Sequence, residues 1–359
     1  MQTASNKNKE YNVMGKVKFG IIGTGMIAQI HADAIKLTDN SELVMVYDKI
    51  VEKAKDFAAK NNCQYAETLE EFLASDIEAV TIGTPSGLHG GAAIAAAQAK
   101  KHILCEKPLE VTVEKTDAIL DACRQNNVIL LPVFQLRYSK TVEIIKDAID
   151  SGRLGKIVLA SASVRWYRNE EYYLNAGWRG TWALDGGGAL MNQGIHTLDL
   201  LLYFNGKVKE IFAKSANILH KSIEVEDTVG ALLTFENGSA GYIEASTACG
   251  PGFPRKIEIS GTKGSIIMED DKITRWQFTE ELPTDAEIRS NAFAGEALKG
   301  GSSNPKAITC EGHRRQITEL ANAIRGIAPL KMSAADGRSA VETICGIYES
   351  ARSGKPVKL

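Results

Sequence analysis

At 359 residues the chain is longer than one ordinary hydrophobic core requires, which predicts two domains. With 44% hydrophobic and 24% charged residues and a net charge of −2, it reads as an ordinary globular protein with no electrostatic case for binding nucleic acid or a membrane surface. No apolar run approaches the roughly 20 residues of a bilayer span, and the six cysteines form no Cys-x-x-Cys pair, so neither a zinc site nor a disulfide framework is expected.

The start, Met1-Gln-Thr-Ala-Ser-Asn-Lys-Asn-Lys-Glu10, is polar and lacks a hydrophobic signal core. Residues 1–15 therefore read as a disordered tail, and the cytoplasm is the expected compartment. From residue 16 to about residue 136, short β-branched runs alternate with helical patterns, as parallel strands joined by helical crossovers do. The first run, from Val17, breaks on Gly23-x-Gly25-x-x-Ala28 and passes into a helix. Gly23 permits a tight turn, Gly25 leaves room for a pyrophosphate, and Ala28 lets the helix lie close to the sheet. The amides of Met26 and Ile27 open that helix, where its dipole favours an anion.

A second strand, Leu43 to Tyr47, ends on Asp48, placed to accept hydrogen bonds from both ribose hydroxyls and to repel a 2′-phosphate. This favours NAD, although Lys49 beside it leaves NADP open. The alternative for Asp48 is a cap on the helix from Val51 to Ala59. A strand at Glu78 to Ile82 then ends in Gly83-Thr-Pro-Ser-Gly-Leu-His89, making Thr84, Pro85 and His89 candidate cofactor contacts; the same residues also suit a turn. The strand His102 to Cys105 ends on Glu106-Lys107-Pro108. A lysine at that strand end can donate to a substrate oxygen or exchange a proton with it; the alternative is a surface lysine paired with Glu106. A helix at Val113 to Asn126 and a strand at Val128 to Phe134 close the domain.

Residues 137–359 read as a second domain. A helix from Lys140 to Ser151 leads to a long strand, Lys156 to Arg168, that runs into Arg165, Trp166, Tyr167 and Arg168, with Tyr172, Tyr173, Trp178, Arg179 and Trp182 close behind. Aromatic rings stack on sugar faces and guanidinium groups bind anions, so Tyr167, Trp178 and especially Arg179 are candidate substrate contacts; a structural loop or subunit contact is the alternative. Gly186-Gly-Gly188 precedes a helix from about Ala189 to Phe204, on which Asn192, His196 and Asp199 fall at i, i+4 and i+7 and share a stripe. His196 titrates near neutrality and can take a hydroxyl proton, and Asp199 can orient its ring.

Five further strands follow, at Val208 to Leu219, Glu226 to Phe235, Ser239 to Ser246, Arg255 to Ser260 and Ser265 to Met268. Gly295 to Pro305 reads as a loop that closes over the site. His313 opens a helix to Ile324, with a structural role expected for it. The last helix, Ala334 to Ser353, is expected to return to the first domain.

Taken together, Gly23-x-Gly25-x-x-Ala28, Thr84-Pro85-x-x-x-His89, Cys105-Glu-Lys-Pro108 and Gly186-Gly-Gly-Ala-Leu-Met-Asn-Gln-Gly-Ile-His196-x-x-Asp199 resemble, in order and spacing, the glucose-fructose oxidoreductase / inositol dehydrogenase (Gfo/Idh/MocA) family. The resemblance implies an α/β protein with an N-terminal Rossmann domain and a C-terminal domain built on a large, mostly antiparallel open sheet that commonly forms a dimer or tetramer interface. It implies hydride transfer, without a metal, between NAD(P) and a hydroxyl carbon of a sugar, polyol, uronate or sugar nucleotide. Lys107 and His196 then contact the reacting hydroxyl, Glu106 lies beside the cofactor, and Gln135, Arg137 and Tyr138 line the cleft. One position departs from the pattern: many polyol dehydrogenases of the family carry aspartate where this chain has Asn192, which can hydrogen-bond a hydroxyl but cannot act as a base. That is nearer to relatives acting on nucleotide-linked amino sugars or uronic acids. Two other readings stand beside the dehydrogenase: a glycoside-processing enzyme that oxidises its sugar transiently and retains NAD, and a regulator that binds NAD(H) without chemistry.

Overall fold

The computed structural model describes residues 15–290 and 310–359. The polar start and the Gly295–Pro305 loop therefore lie outside the described residues. The chain divides into two compact units. The first comprises residues up to Glu110, Glu114–Gln135 and Cys310–Asp336; the second comprises Val111–Val113, Leu136–Thr309 and Gly337–Leu359.

In the first unit, strands β1 (Val17–Ile22), β2 (Ser41–Tyr47), β3 (Gln64–Ala66), β4 (Ala79–Ile82), β5 (His102–Cys105) and β6 (Leu130–Pro132) form one parallel sheet in the order β3-β2-β1-β4-β5-β6. All four residues of β4 are buried, as expected for a central strand covered on both faces. Helices α1 (Met26–Lys36), α2 (Val51–Asn61), α3 (Leu69–Ala74), α4 (His89–Gln98) and α5 (Val113–Asn126) supply the crossovers. The strand order reverses between β1 and β4, the switch point where such sheets bind ligands. β6 covers only three residues of the predicted Val128–Phe134 run, with backbone bonds to β5 continuing at Ile129 and Val133, and Pro132 sits on this edge strand where a missing N–H costs no ladder bond.

In the second unit, α6 (Lys140–Asp150) precedes β7 (Ile157–Arg165) and the short α7 (Glu170–Leu174). A single wide π-turn, Ala189–Gly194, then runs into α8 (Ile195–Asn205). Strands β8 (Val208–Ala216), β9 (Thr228–Phe235), β10 (Ala240–Ser246), β11 (Lys256–Gly261), β12 (Gly264–Glu269), β13 (Lys272–Phe278) and β14 (Val357–Lys358) join β7 in an eight-stranded sheet ordered β13-β12-β11-β7-β10-β9-β8-β14. Only the β7·β10 pair is parallel. β13 is not among the strands read from sequence, and its register against β12 shifts at a bulge at Ile267/Met268. α9 (Asp285–Arg289) follows β13, then come α10 (Glu311–Ile324) and α11 (Ala334–Ser353).

The expectation for the last helix is corrected. It is α10 that groups with the first unit, its buried face of His313, Gln316, Ile317 and Leu320 packed on α1, whereas α11 from Gly337 onward belongs to the second unit. No helix among the described residues is long and apolar enough to cross a membrane.

Candidate active site and its family

The cofactor-binding half lies at the carboxyl ends of β1, β2, β4 and β5. Gly23 has φ = +89°, and a Cβ there would stand 3.1 Å from the Gly83 carbonyl and the Thr84 methyl group, so the turn excludes any other residue. Gly25 precedes α1, and a Cβ added to it would meet nothing within 4 Å. The amides of Met26 and Ile27 open an 11-residue helix beside that gap, an arrangement with room and dipole for an anion. The Asp48 carboxylate is engaged within the chain, and the residue that caps α2 is Ile50 rather than Asp48. Its Oδ2 accepts from the Thr24 amide (2.8 Å) and hydroxyl (2.9 Å), tying the strand end to the glycine turn. Its Oδ1 accepts the Ile50 amide (2.9 Å) at the start of α2.

Two buried oxygens at this sheet edge, Thr84 Oγ1 and Gln135 Oε1, have no hydrogen-bond partner among the described residues. Orphaned buried acceptors are uncommon, and a polar ring bound there would satisfy them. The residues present thus fit a dinucleotide. Pro85 opens the short turn before α4. His89 is buried, and both of its ring nitrogens face backbone carbonyls: Nδ1 is 2.7 Å from Pro108 O and Nε2 is 2.9 Å from Thr84 O.

Lys107, half-buried, follows Glu106. The Glu106 carboxylate receives His31 Nε2 on Oε1 (3.0 Å) and the Lys107 amide on Oε2 (3.2 Å), while His313 Nε2 stands 3.6 Å from Oε1. Burial alone would raise the Glu106 carboxyl, but the His31 and His313 imidazoles outweigh it and hold the group well below the ordinary carboxylate range. Donor atoms of His31, Glu106 and His313 lie within 4.8 Å of one another. A carboxylate–imidazole hydrogen bond with a second imidazole tilted against the first accounts for this grouping. Sequence reasoning missed it, since nothing local links a residue on α1, one just after β5 and one on α10.

All of the predicted substrate residues except Gln135 belong to the second unit, where Asn192 lies on the π-turn. Gly188 is indispensable there: a Cβ would lie 1.9 Å from the Glu226 carbonyl oxygen. The Glu226 side chain fastens the turn, accepting the Gly188 and Leu190 amides (both 2.9 Å) and the Tyr348 hydroxyl (2.9 Å), while Tyr348 accepts the Met191 amide (3.2 Å).

On the turn, Asn192 Nδ2 donates to Asp185 Oδ1, and Asn192 Oδ1 accepts from Gln193 Nε2 (2.6 Å). Gln193 also donates to the Tyr172 hydroxyl (2.7 Å) and accepts from Arg168 Nη2 (2.8 Å). Arg179 lies over the Tyr172 ring at 4.1 Å and against Trp178 at 5.6 Å; its Nε is buried with no partner among the described residues. His196 is half-buried in the first turn of α8.

Arg137 and Asp199 form a bidentate ion pair (2.8 and 2.6 Å) with both side chains under 8% exposed, and Arg137 stacks on Tyr203 at 4.5 Å. Tyr167 is 43% exposed and bridges to Ala248. Asp185, Gln193 and Glu226 were not foreseen. The polar residues flanking the triple glycine were the available signal for the first two; Glu226 enters from the segment just before β9.

A parallel sheet with a glycine turn at its switch point, followed by a mostly antiparallel second sheet, is the architecture of a dinucleotide-binding α/β protein. Residues 17–134 match the family described as "Oxidoreductase family, NAD-binding Rossmann fold", and residues 142–267 match "GFO/IDH/MocA C-terminal domain". The chain belongs to the Gfo/Idh/MocA family and is an NAD-dependent oxidoreductase.

It is similar to the WlbA dehydrogenase from Bordetella pertussis, solved in complex with NADH and UDP-GlcNAcA, at 32% identity and a TM-score of 0.87, covering 96% of this chain and 98% of that one. A levoglucosan dehydrogenase solved with NADH and levoglucosan gives 25% identity and a TM-score of 0.80, over 96% and 99%. Myo-inositol 2-dehydrogenase of Thermotoga maritima is 28% identical over 74% of this chain and 79% of its own length.

Proposed function

We propose that the protein oxidises or reduces a secondary hydroxyl carbon of a nucleotide-linked sugar acid with NAD. The polar network on the π-turn carries the reading. It presents amide and guanidinium groups, with Asp185 holding Asn192, where a polyol-type relay would have a second carboxylate next to the histidine. Likeness over nearly the whole chain to a protein bound to NADH and UDP-GlcNAcA supports the same substrate class. When bound, the nicotinamide supplies the hydride acceptor or donor. Lys107 Nζ hydrogen-bonds the reacting oxygen and His196 carries its proton; Asn192, Arg179 and Trp178 hold the sugar. Asp48 selects NAD through the ribose hydroxyls.

Nicotinamide absorbance with UDP-GlcNAcA, myo-inositol and levoglucosan offered separately tests the substrate class: turnover of the first well above the others is expected, and preference for inositol overturns it. Lys107→Ala is expected to lower kcat/KM by about 10³-fold; full turnover would remove the proton-handling role. An NAD(H) regulator would bind cofactor and turn over none of the three.

The protein is further proposed to pair with a second copy through the open face of the eight-stranded sheet. Phe212, Leu232 and Tyr242 stand opposite one another in register on β8, β9 and β10, and they are 40%, 64% and 43% exposed. Leu232→Lys is expected to shift the mass measured by light scattering toward the monomer.

A further inference from the structure

Lys107 sits in a turn whose backbone is held on both sides. Before it, the Lys107 amide donates to Glu106 Oε2. After it, Pro108 has no N–H, so its carbonyl is the only polar backbone handle, and that oxygen lies 2.7 Å from His89 Nδ1. The other ring nitrogen of His89 reaches Thr84 O at 2.9 Å, just past the end of β4. His89 is only 1% exposed, and its one imidazole joins the ends of β4 and β5.

We propose that His89 is a positioning residue for Lys107: by bridging the carbonyls of Pro108 and Thr84 it fixes the turn from which the lysine side chain works. This rests on the role proposed above for Lys107. It also separates His89 from the direct cofactor contact expected from sequence, because both ring nitrogens face backbone.

A neutral imidazole carries one N–H, so making both bonds at once requires the imidazolium. Burial draws the His89 pKa below its ordinary value. The two carbonyls and the carboxylates of Glu106 and Glu110 act in the opposite sense, with Glu110 facing Gly90 on the next residue of α4 and itself 3.8 Å from Lys115 Nζ. The His31 and His313 imidazoles face Glu106 from the far side. Both bonds are therefore present on the acid side, and rising pH leaves one.

Protein labelled with ¹⁵N-histidine, with His89 assigned through its backbone so that no variant is needed, is expected to show two ring N–H groups on the acid side of its titration and one on the alkaline side. A single N–H across the whole pH range in which the protein stays folded overturns the bridge. H89Q offers a side-chain amide that does not titrate. It is expected to lower kcat at least about 10-fold while the Kd for NADH stays within about two-fold, and the deficit is expected to shrink as pH rises. Weaker NADH binding with kcat unchanged at saturation makes His89 a cofactor contact and overturns the proposal.

In a Lys107→Ala background the same substitution is expected to cost no more than about two-fold further; a fully additive loss overturns action through Lys107 while leaving the lysine's own role intact. Full turnover by Lys107→Ala alone removes the lysine's role, and the positioning proposal with it.

Discussion

Gly25 and Gly188 each stand immediately before a helix that carries functional residues, yet a methyl group added at Gly25 meets no atom within 4 Å, whereas one added at Gly188 would lie 1.9 Å from a backbone oxygen. In the first unit glycine keeps space open, and the protein spends its contacts around the gap: Asp48 ties down Thr24 beside it and the helix dipole points into it. In the second unit glycine lets protein fill the space. The π-turn is drawn against Glu226, Tyr348 reaches in from α11, and Asn192 is fixed by Asp185. The first arrangement suits the proposed dinucleotide, whose shape is constant across the proteins that bind it. The second builds its polar surface from side chains, which is how relatives on one fold come to differ in substrate.

If that contrast is right, the second unit depends on its buried polar pairs. Asp199→Ala leaves Arg137 as a buried, uncompensated charge, which is expected to cost about 3–5 kcal/mol in denaturant unfolding. A loss below about 1 kcal/mol would mean that the pair is not a structural fixture of this unit and would return both residues to the substrate list.

Glu226 comes next. Burial pushes its carboxyl up to about 7, against the opposing hydrogen bonds of Leu190, Gly188 and Tyr348. An acid whose pKa is higher folded than unfolded binds more protons in the native state. Its contribution is therefore fully present below about 4.5 and is lost as pH rises to about 7, amounting to about 3 kcal/mol. Glu226→Gln stays neutral throughout. Relative to the wild type, the variant is expected to gain about that much between the two pH values, measured by denaturant melts at each. A difference independent of pH would show Glu226 ionised over the whole range.

These two tests fall where sequence reading was weakest, and the reason is physical. The glycine turn, the acid closing β2 and the strand–helix alternation are local, set by residues a few positions apart, and so is α11, whose Ala334–Ser353 span matches the pattern. Asn192, His196 and Asp199 were placed on one stripe by a 3.6-residue period, but the π-turn widens the backbone through Gly194, upstream of α8. Asp199 pairs with Arg137, 62 residues earlier, and Asn192 with Asp185. Glu106 finds His31 and His313 from separate helices. A hydrogen-bond partner is chosen by tertiary packing, and no periodicity encodes it.

The comparison is sharpest when each glycine takes a single methyl group. Gly188→Ala must displace the Glu226 carbonyl or the turn itself, an overpacking expected to cost about 1–3 kcal/mol in stability and to disturb substrate turnover only as far as the turn moves. Gly25→Ala meets no protein atom, and its φ of −73° suits any residue, so unfolding is expected to change by less than about 0.5 kcal/mol. Its effect should appear instead in cofactor binding, with Kd for NADH raised about 10-fold or more by titration, because the methyl group occupies volume that only a phosphate would use. A Gly25→Ala protein that melts earlier but binds NADH normally would place the phosphate elsewhere and make Gly25 a folding residue like Gly188. Unchanged melting with lost binding would mean that the two units use the same amino acid for opposite ends, one for a ligand and one for the chain itself.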